Sequence, residues 1–281
     1  MKRITLRFRA AAWLPAAILL AFGTPCFAQA PITNGLIARW TGDGNAKDSA
    51  SHYDGQVSGR LRYVPGPAAA QAFQFGGGGA LNGPGPQQVQ PTPGFGSGSG
   101  AQVDFGKSIG NFGTRDFTIA FWIKTDSKYF YEAFLGKRPS CDASSSHWNI
   151  FVAYQEGTRA PGYIHCGLGA GGERQPADNM LLSTHPINDG QWHHVAWVRQ
   201  STSSGSSMAL LYLDGALDIS RTYRDEIDLV NQAPLVLGQH VCQCCDGCRP
   251  YSGAAAELQI FSHALTAEEI VILYKAGKTD K

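Results

Sequence analysis

From Phe117 to Lys124 the chain alternates, with Phe117, Ile119, Phe121 and Ile123 in one register and Thr118, Ala120, Trp122 and Lys124 in the other. A period of two places the first set on one side of an extended backbone, whereas a helix would scatter it around its surface. The pattern returns in Trp148, Ile150, Val152 and Tyr154, and again in His193, Val195, Trp197 and Arg199. Shorter runs follow at Gly162–Leu168, Met208–Leu213, Leu235–Leu237 and Leu258–Phe261. Asp214-Gly215 closes one of them with a turn dipeptide suited to a hairpin. Short strands separated by turn residues predict an all-β chain folded as two packed sheets.

One helix is expected, at the end. Thr266 is an N-cap and Glu269, three residues on, completes a capping box. Leu265 and Ile270 occupy the staple positions, Ile270, Leu273 and Tyr274 form an apolar stripe, and Gly277 is a stop signal.

Residues 1–30 read as a secretory signal peptide. Lys2, Arg3, Arg7 and Arg9 precede an apolar run from Ala10 to Phe22, and Ala28-Gln29-Ala30 offers small residues for cleavage. The run is short for a membrane span, and Pro25 before Cys26 fits poorly with a lipid anchor. The expected localisation is secreted or periplasmic. Removing the leader takes four of the 23 basic residues and none of the 22 acidic ones, leaving an acidic surplus. That balance argues against a nucleic-acid partner. Residues 31–281 then suit a single large β domain. A Gly/Pro/Ser-rich stretch at about 76–100 interrupts it; too little chain precedes this stretch for a separate domain, so it is expected to be an insertion between strands rather than a linker.

Six cysteines follow the leader: Cys141, Cys166, Cys242, Cys244, Cys245 and Cys248. The last four, with His240 nearby, could form a zinc knuckle. An oxidising compartment favours disulfides instead, and Cys141 and Cys166 are expected to reach into the cluster.

Several blocks together resemble the bacterial laminin-G-like, concanavalin A-like jelly rolls. They are Gly35–Trp40 with Gly42–Asp48, Ala72–Gly76, Asp116–Lys124, Gln191–Val198, Leu211–Gly215 and Glu257–Ile270. They stand in the family's order and cover most of 35–277. The resemblance implies a two-sheet antiparallel jelly-roll sandwich with a short C-terminal helix, used for glycan or protein recognition, and in many members a calcium ion. Asp43, Asn45 and Asp48 supply hard oxygen ligands of the kind calcium takes; equally, they are residues that cap their own turn. The family usually places an acid just before the glutamate of its last strand, and here Ala254-Ala255-Ala256 precedes Glu257.

The architecture also hosts glycoside hydrolases, whose laminarinase-type members carry Glu-x-Asp-x-x-Glu. The nearest segment is Glu226-Ile227-Asp228-Leu229-Val230-Asn231, and its final Asn cannot act as acid/base. His193 and His194, adjacent on a strand, point to opposite faces and cannot share an ion. No catalytic constellation is complete. For ligand binding, Tyr129-Phe130-Tyr131 is a candidate rim patch, with Trp148 and Tyr154 adjoining and the 242–249 loop beside it; the competing reading puts these aromatics in the core. Three functions follow from this: a non-catalytic module binding glycan or another extracellular ligand, an adhesion domain with a protein partner, and a divergent glycosidase.

Overall fold

The computed structural model describes residues 30–67, 70–76, 100–140, 145–155, 157, 159–170, 180–203, 205–223, 227–239 and 248–278. The leader up to residue 29, most of the Gly/Pro-rich insertion, Cys141, Cys242, Cys244, Cys245 and Glu226 lie outside the described residues.

Sixteen strands and one helix are described in chain order. They are β1 (Leu36–Trp40), β2 (Gln56–Ser58), β3 (Arg62–Pro65), β4 (Gln71–Phe75), β5 (Gln102–Asp104), β6 (Phe117–Lys124), β7 (Tyr131–Lys137) and β8 (Ser146–Tyr154). Then come β9 (Pro161–Ala170), β10 (Met180–Pro186), β11 (His193–Ser201), β12 (Ser207–Leu213), β13 (Ala216–Tyr223), β14 (Leu235–Leu237), β15 (Cys248–Pro250), β16 (Gly253–Phe261) and α1 (Ala267–Gly277). One sheet runs β13-β12-β11-β6-β16-β4-β3, with β1 also paired to β16; the other runs β10-β9-β8-β7-β14-β5-β2, with β15 on β7. Strand pairing is antiparallel except where β15 lies parallel to β7. This is the expected all-β sandwich.

The alternation of β6 explains the packing. Phe117, Ile119, Phe121 and Ile123 enter the core between the sheets. Phe121 meets Phe134 of β7 at 4.5 Å between ring centroids, and Trp148 of β8 meets Trp197 of β11 at 6.3 Å. The other face of β6 is covered rather than wet: Ala120 packs with Ile270 and Leu273 of α1, and Trp122 stacks on Tyr274 at 5.7 Å. Burying both faces makes β6 the central strand of its sheet.

The helix starts as the sequence predicts. Glu269 N–H donates to the Thr266 hydroxyl at 3.2 Å, and the Glu269 carboxylate accepts from Thr266 N–H at 2.8 Å. Such a cap contributes about 1 kcal/mol. Its end has a different cause from the expected glycine stop. A Cβ on Gly277 would sit 2.2 Å from Trp122 Nε1, so glycine is there to let the helix reach the indole.

Two turns show strain with a purpose. Asp214 and Gly215 take φ of 50° and 81° between β12 and β13, the left-handed pair that a two-residue hairpin needs. Glu257 takes φ of 52° where the β16 register shifts, and this bulge turns its carboxylate onto Arg39, with Nε–Oε2 at 2.8 Å.

Candidate functional site

The Asp43–Asp48 turn has the residue types of a cation site but not the arrangement of one. Asp48 Oδ1 accepts from Arg39 N–H and Ala50 N–H at 2.9 Å each, and Oδ2 accepts from Tyr53 N–H at 3.1 Å. Asp54 caps Asp48 N–H at 2.9 Å. Asn45 spans its own turn, its amide donating to Asp43 O and accepting from Lys47 N–H. Asp43 Oδ1 accepts from Gln71 N–H at 3.3 Å and so ties the turn to β4. Among the described residues no three His, Cys, Asp or Glu side chains converge on a position that could hold a metal ion. Glu257 is engaged by Arg39, and the position before it, where the family resemblance would look for an acid, is the buried Ala256. Asp48 and Asn45 are committed to holding the turn together.

The hydrolase-like segment is likewise structural over its described part. Asp228 caps Val230 N–H at 2.9 Å. Asn231 donates its amide to the backbone oxygens of Lys137 and Ser146 and accepts from Ala233 N–H. An ionised acid could not make the first two bonds, because it has no proton to donate.

The paired histidines separate as expected. His193 is held between two carboxylates, Nδ1 to Asp214 at 2.8 Å and Nε2 to Asp189 at 3.1 Å, and the Asp214 bond raises its pKa. His194 turns inward, edge-on to Trp122 at 5.4 Å, where burial pushes its pKa down to about 4.

Cys166 corrects the disulfide expectation. It lies on β9 between Ile164 and Leu168, fully buried in the intersheet core, and its thiol is free. The inward alternation of β9 makes it a small apolar core residue, and burial pushes the thiol pKa well up. Cys248 opens β15, and Cys141, Cys242, Cys244 and Cys245 lie outside the described residues.

Trp148 is a second correction. It belongs to the core, with no exposed surface and its Nε1–H donating to Gly110 O at 2.8 Å. The other four candidate aromatics, Tyr129, Phe130, Tyr131 and Tyr154, gather at one end of the β7-β8-β9 sheet. Tyr131 packs on Phe151 at 4.8 Å and on Tyr154 at 6.1 Å, and its hydroxyl bonds His165 Nδ1 at 2.7 Å. Burial holds His165 neutral, its pKa down to about 4. Phe130 meets Tyr154 edge-on at 5.8 Å, and the Arg249 guanidinium of β15 lies 4.2 Å over the Tyr129 ring. Tyr129 and Phe130 remain 47% and 51% exposed. They stand on a loop anchored by Asn188, whose amide donates to Ser127 O at 2.8 Å.

Sequence reasoning missed Glu132, and brought Arg249 to the rim only as the end of the 242–249 loop. Glu132 follows Tyr131 on β7 and is fully buried, with Ser127 and the Ser252 backbone beside its carboxyl. Burial raises its pKa to about 7 against partial support for the ionised form from Ser127, Ser252 and Arg249. A charged residue at an inward position of a strand was the one available signal.

With this geometry in hand, a laminin G family model described as the Concanavalin A-like lectin/glucanases superfamily matches residues 96–271. The chain belongs to that superfamily. Solved structures agree on the lectin-like fold. Domain 4 of AbnA, a GH43 extracellular arabinanase from Geobacillus stearothermophilus, in complex with arabinotriose, is similar at 16% identity and TM-score 0.56, covering 86% of this chain and 98% of that one. The binding domain of Botulinum neurotoxin DC in complex with rat synaptotagmin II is similar at 13% identity and TM-score 0.58, covering 88% of this chain and 53% of that one. The binding domain of Paraclostridial Mosquitocidal Protein 1 gives 13% identity and TM-score 0.58, over 86% and 52%. This chain thus spans about half the length of those two binding domains. A search of curated proteins finds no match. Among the described residues no helix is long and apolar enough to cross a membrane.

Proposed function

We propose that this superfamily member is an exported, non-catalytic recognition module, and that a glycan is its ligand. The observation that carries this is the Tyr129–Phe130 edge: two adjacent half-exposed rings backed by packed aromatics on a rigid sheet end. Sugar rings dock their C–H faces on such surfaces, and loops on a stiff sandwich are where binding specificity resides. Export rests on the basic and apolar pattern of residues 1–30. The structural role of Asn231 supports recognition over hydrolysis. The similar structures include one domain in complex with arabinotriose and one in complex with rat synaptotagmin II, so a protein partner at the same edge is the second reading.

The test is a glycan array probed with the mature protein and with a Tyr129→Ala/Phe130→Ala variant. Retention of specific glycans by the native chain, lost in the variant, supports the reading. Equal retention by both overturns the assignment of the edge. Hydrolysis of any bound glycan overturns the non-catalytic part.

A further inference from the structure

We infer that the ligand taken at this edge is an acidic glycan, with a sugar ring on Tyr129 and its carboxylate or sulfate on Arg249. This rests on the recognition reading above and narrows it to a ligand class.

Arg249 carries the argument. It sits exposed on the edge strand β15, stacked over Tyr129, and among the described residues no carboxylate or hydrogen-bond acceptor pairs with it. The cation–π contact holds the guanidinium over the ring without using its N–H groups in an ion pair, and a planar guanidinium fork matches a carboxylate or sulfate in bidentate fashion. Lys128, the residue before Tyr129, donates to the backbone oxygen of Asn188 at 3.3 Å and adds a second positive charge to the loop. A neutral sugar would leave both cations unused.

An acid that feels the Arg249 charge resists ionising. Glu132 lies opposite Arg249 in the β7–β15 register. Around its carboxyl stand Arg249 on β15, Asp126 and Ser127 on the loop before β7, and the Ser252 backbone and Tyr251 on the link to β16. Across on β8 its register mate is the apolar Val152. Because burial outweighs the support from Ser127, Ser252 and Arg249, the carboxyl favours its neutral form until the pH passes about 7. Neutral, it leaves the Arg249 charge available to a ligand; ionised, it competes for that charge. Acidic glycan binding therefore strengthens as the pH falls through 7. His165 beneath Tyr131 stays neutral over that range, so it does not contribute.

The experiment is calorimetric titration of the mature protein with a neutral hexose tetrasaccharide, a hexuronate tetrasaccharide of the same length, and inorganic sulfate, at pH 6 and pH 8. The hexuronate is expected to bind about tenfold more tightly than the neutral sugar, the value of one hydrogen-bonded charge. Arg249→Ala abolishes that difference, and Tyr129→Ala weakens both sugars. Affinity for the hexuronate rises several-fold from pH 8 to pH 6 in the native chain and stays flat in Glu132→Gln, with circular dichroism verifying the fold of each variant. Equal affinity for the two sugars, unmoved by Arg249→Ala, overturns the acidic-glycan inference and leaves the edge as a glycan site. Binding of neither sugar overturns both. Sulfate binding as tightly as the hexuronate reduces Arg249 to a plain anion site and overturns the glycan assignment. A pH dependence that survives in Glu132→Gln overturns the role given to that residue.

Discussion

The Asp43–Asp54 turn and the Tyr129–Arg249 edge differ in how far their polar groups are already committed. In the turn, Asp48 alone accepts three backbone N–H bonds, and its neighbours cap one another and β4. At the edge, Arg249 lies over the Tyr129 ring with no ion pair, and burial leaves the Glu132 carboxyl only partly supported. A run of acids and amides in a loop is more often engaged in holding that loop together than in waiting for a ligand. Uncommitted chemistry on a rigid support is the better marker of a site.

The largest way to stress this comparison is acid. His165 under the edge and His194 beneath Trp122 are both held neutral, with pKa values near 4 against about 6.5 in an unfolded chain. Their folded values are depressed, so their contribution is complete above pH 6.5 and is lost as the pH falls towards 4. That loss is on the order of 3 kcal/mol per histidine. Urea titrations at stepped pH are expected to show it, with Phe replacing His165 reducing the slope; a flat profile from pH 6.5 to 4 would refute the buried-neutral assignment.

Next comes Asp48→Ala, which orphans three N–H donors and is expected to cost about 3 kcal/mol of stability. Chemical denaturation measures it; a loss under about 0.5 kcal/mol, the usual range for a surface change, would mean the turn is not held this way. Tyr129→Ala/Phe130→Ala should do the reverse, shifting stability by no more than about 0.5 kcal/mol while removing binding. Smallest of all is the effect of a chelator. EDTA is expected to leave both the melting temperature and glycan retention unchanged, and a clear drop in either would return the Asp43–Asp48 turn to the class of cation sites.

Much of the frame was legible because alternation reports burial directly. β6, β8, β11 and the capped α1 stand where their periodicities place them. β7 was not, and the reason is physical. Glu132 and Lys137 occupy inward positions, and a bulge between Ala133 and Leu135 shifts the phase midway. Lys137 is made tolerable by donating to the backbone oxygens of Lys107 and Ala233, a compensation no local pattern reveals. A second bulge, between Ala153 and Tyr154, parts two aromatics that strict alternation groups together, sending Trp148 into the core and Tyr154 to the edge. Arg249 was hidden for another reason: its partner Tyr129 is 120 residues away in sequence, brought close only by the parallel β7–β15 pairing.

Cys166 lends the sandwich an internal gauge. Its sulfur is walled in by both layers, out of reach of any alkylating reagent while they stay together. Mass-resolved labelling at that one position would time how often the layers part, giving a clock for opening that needs no denaturant.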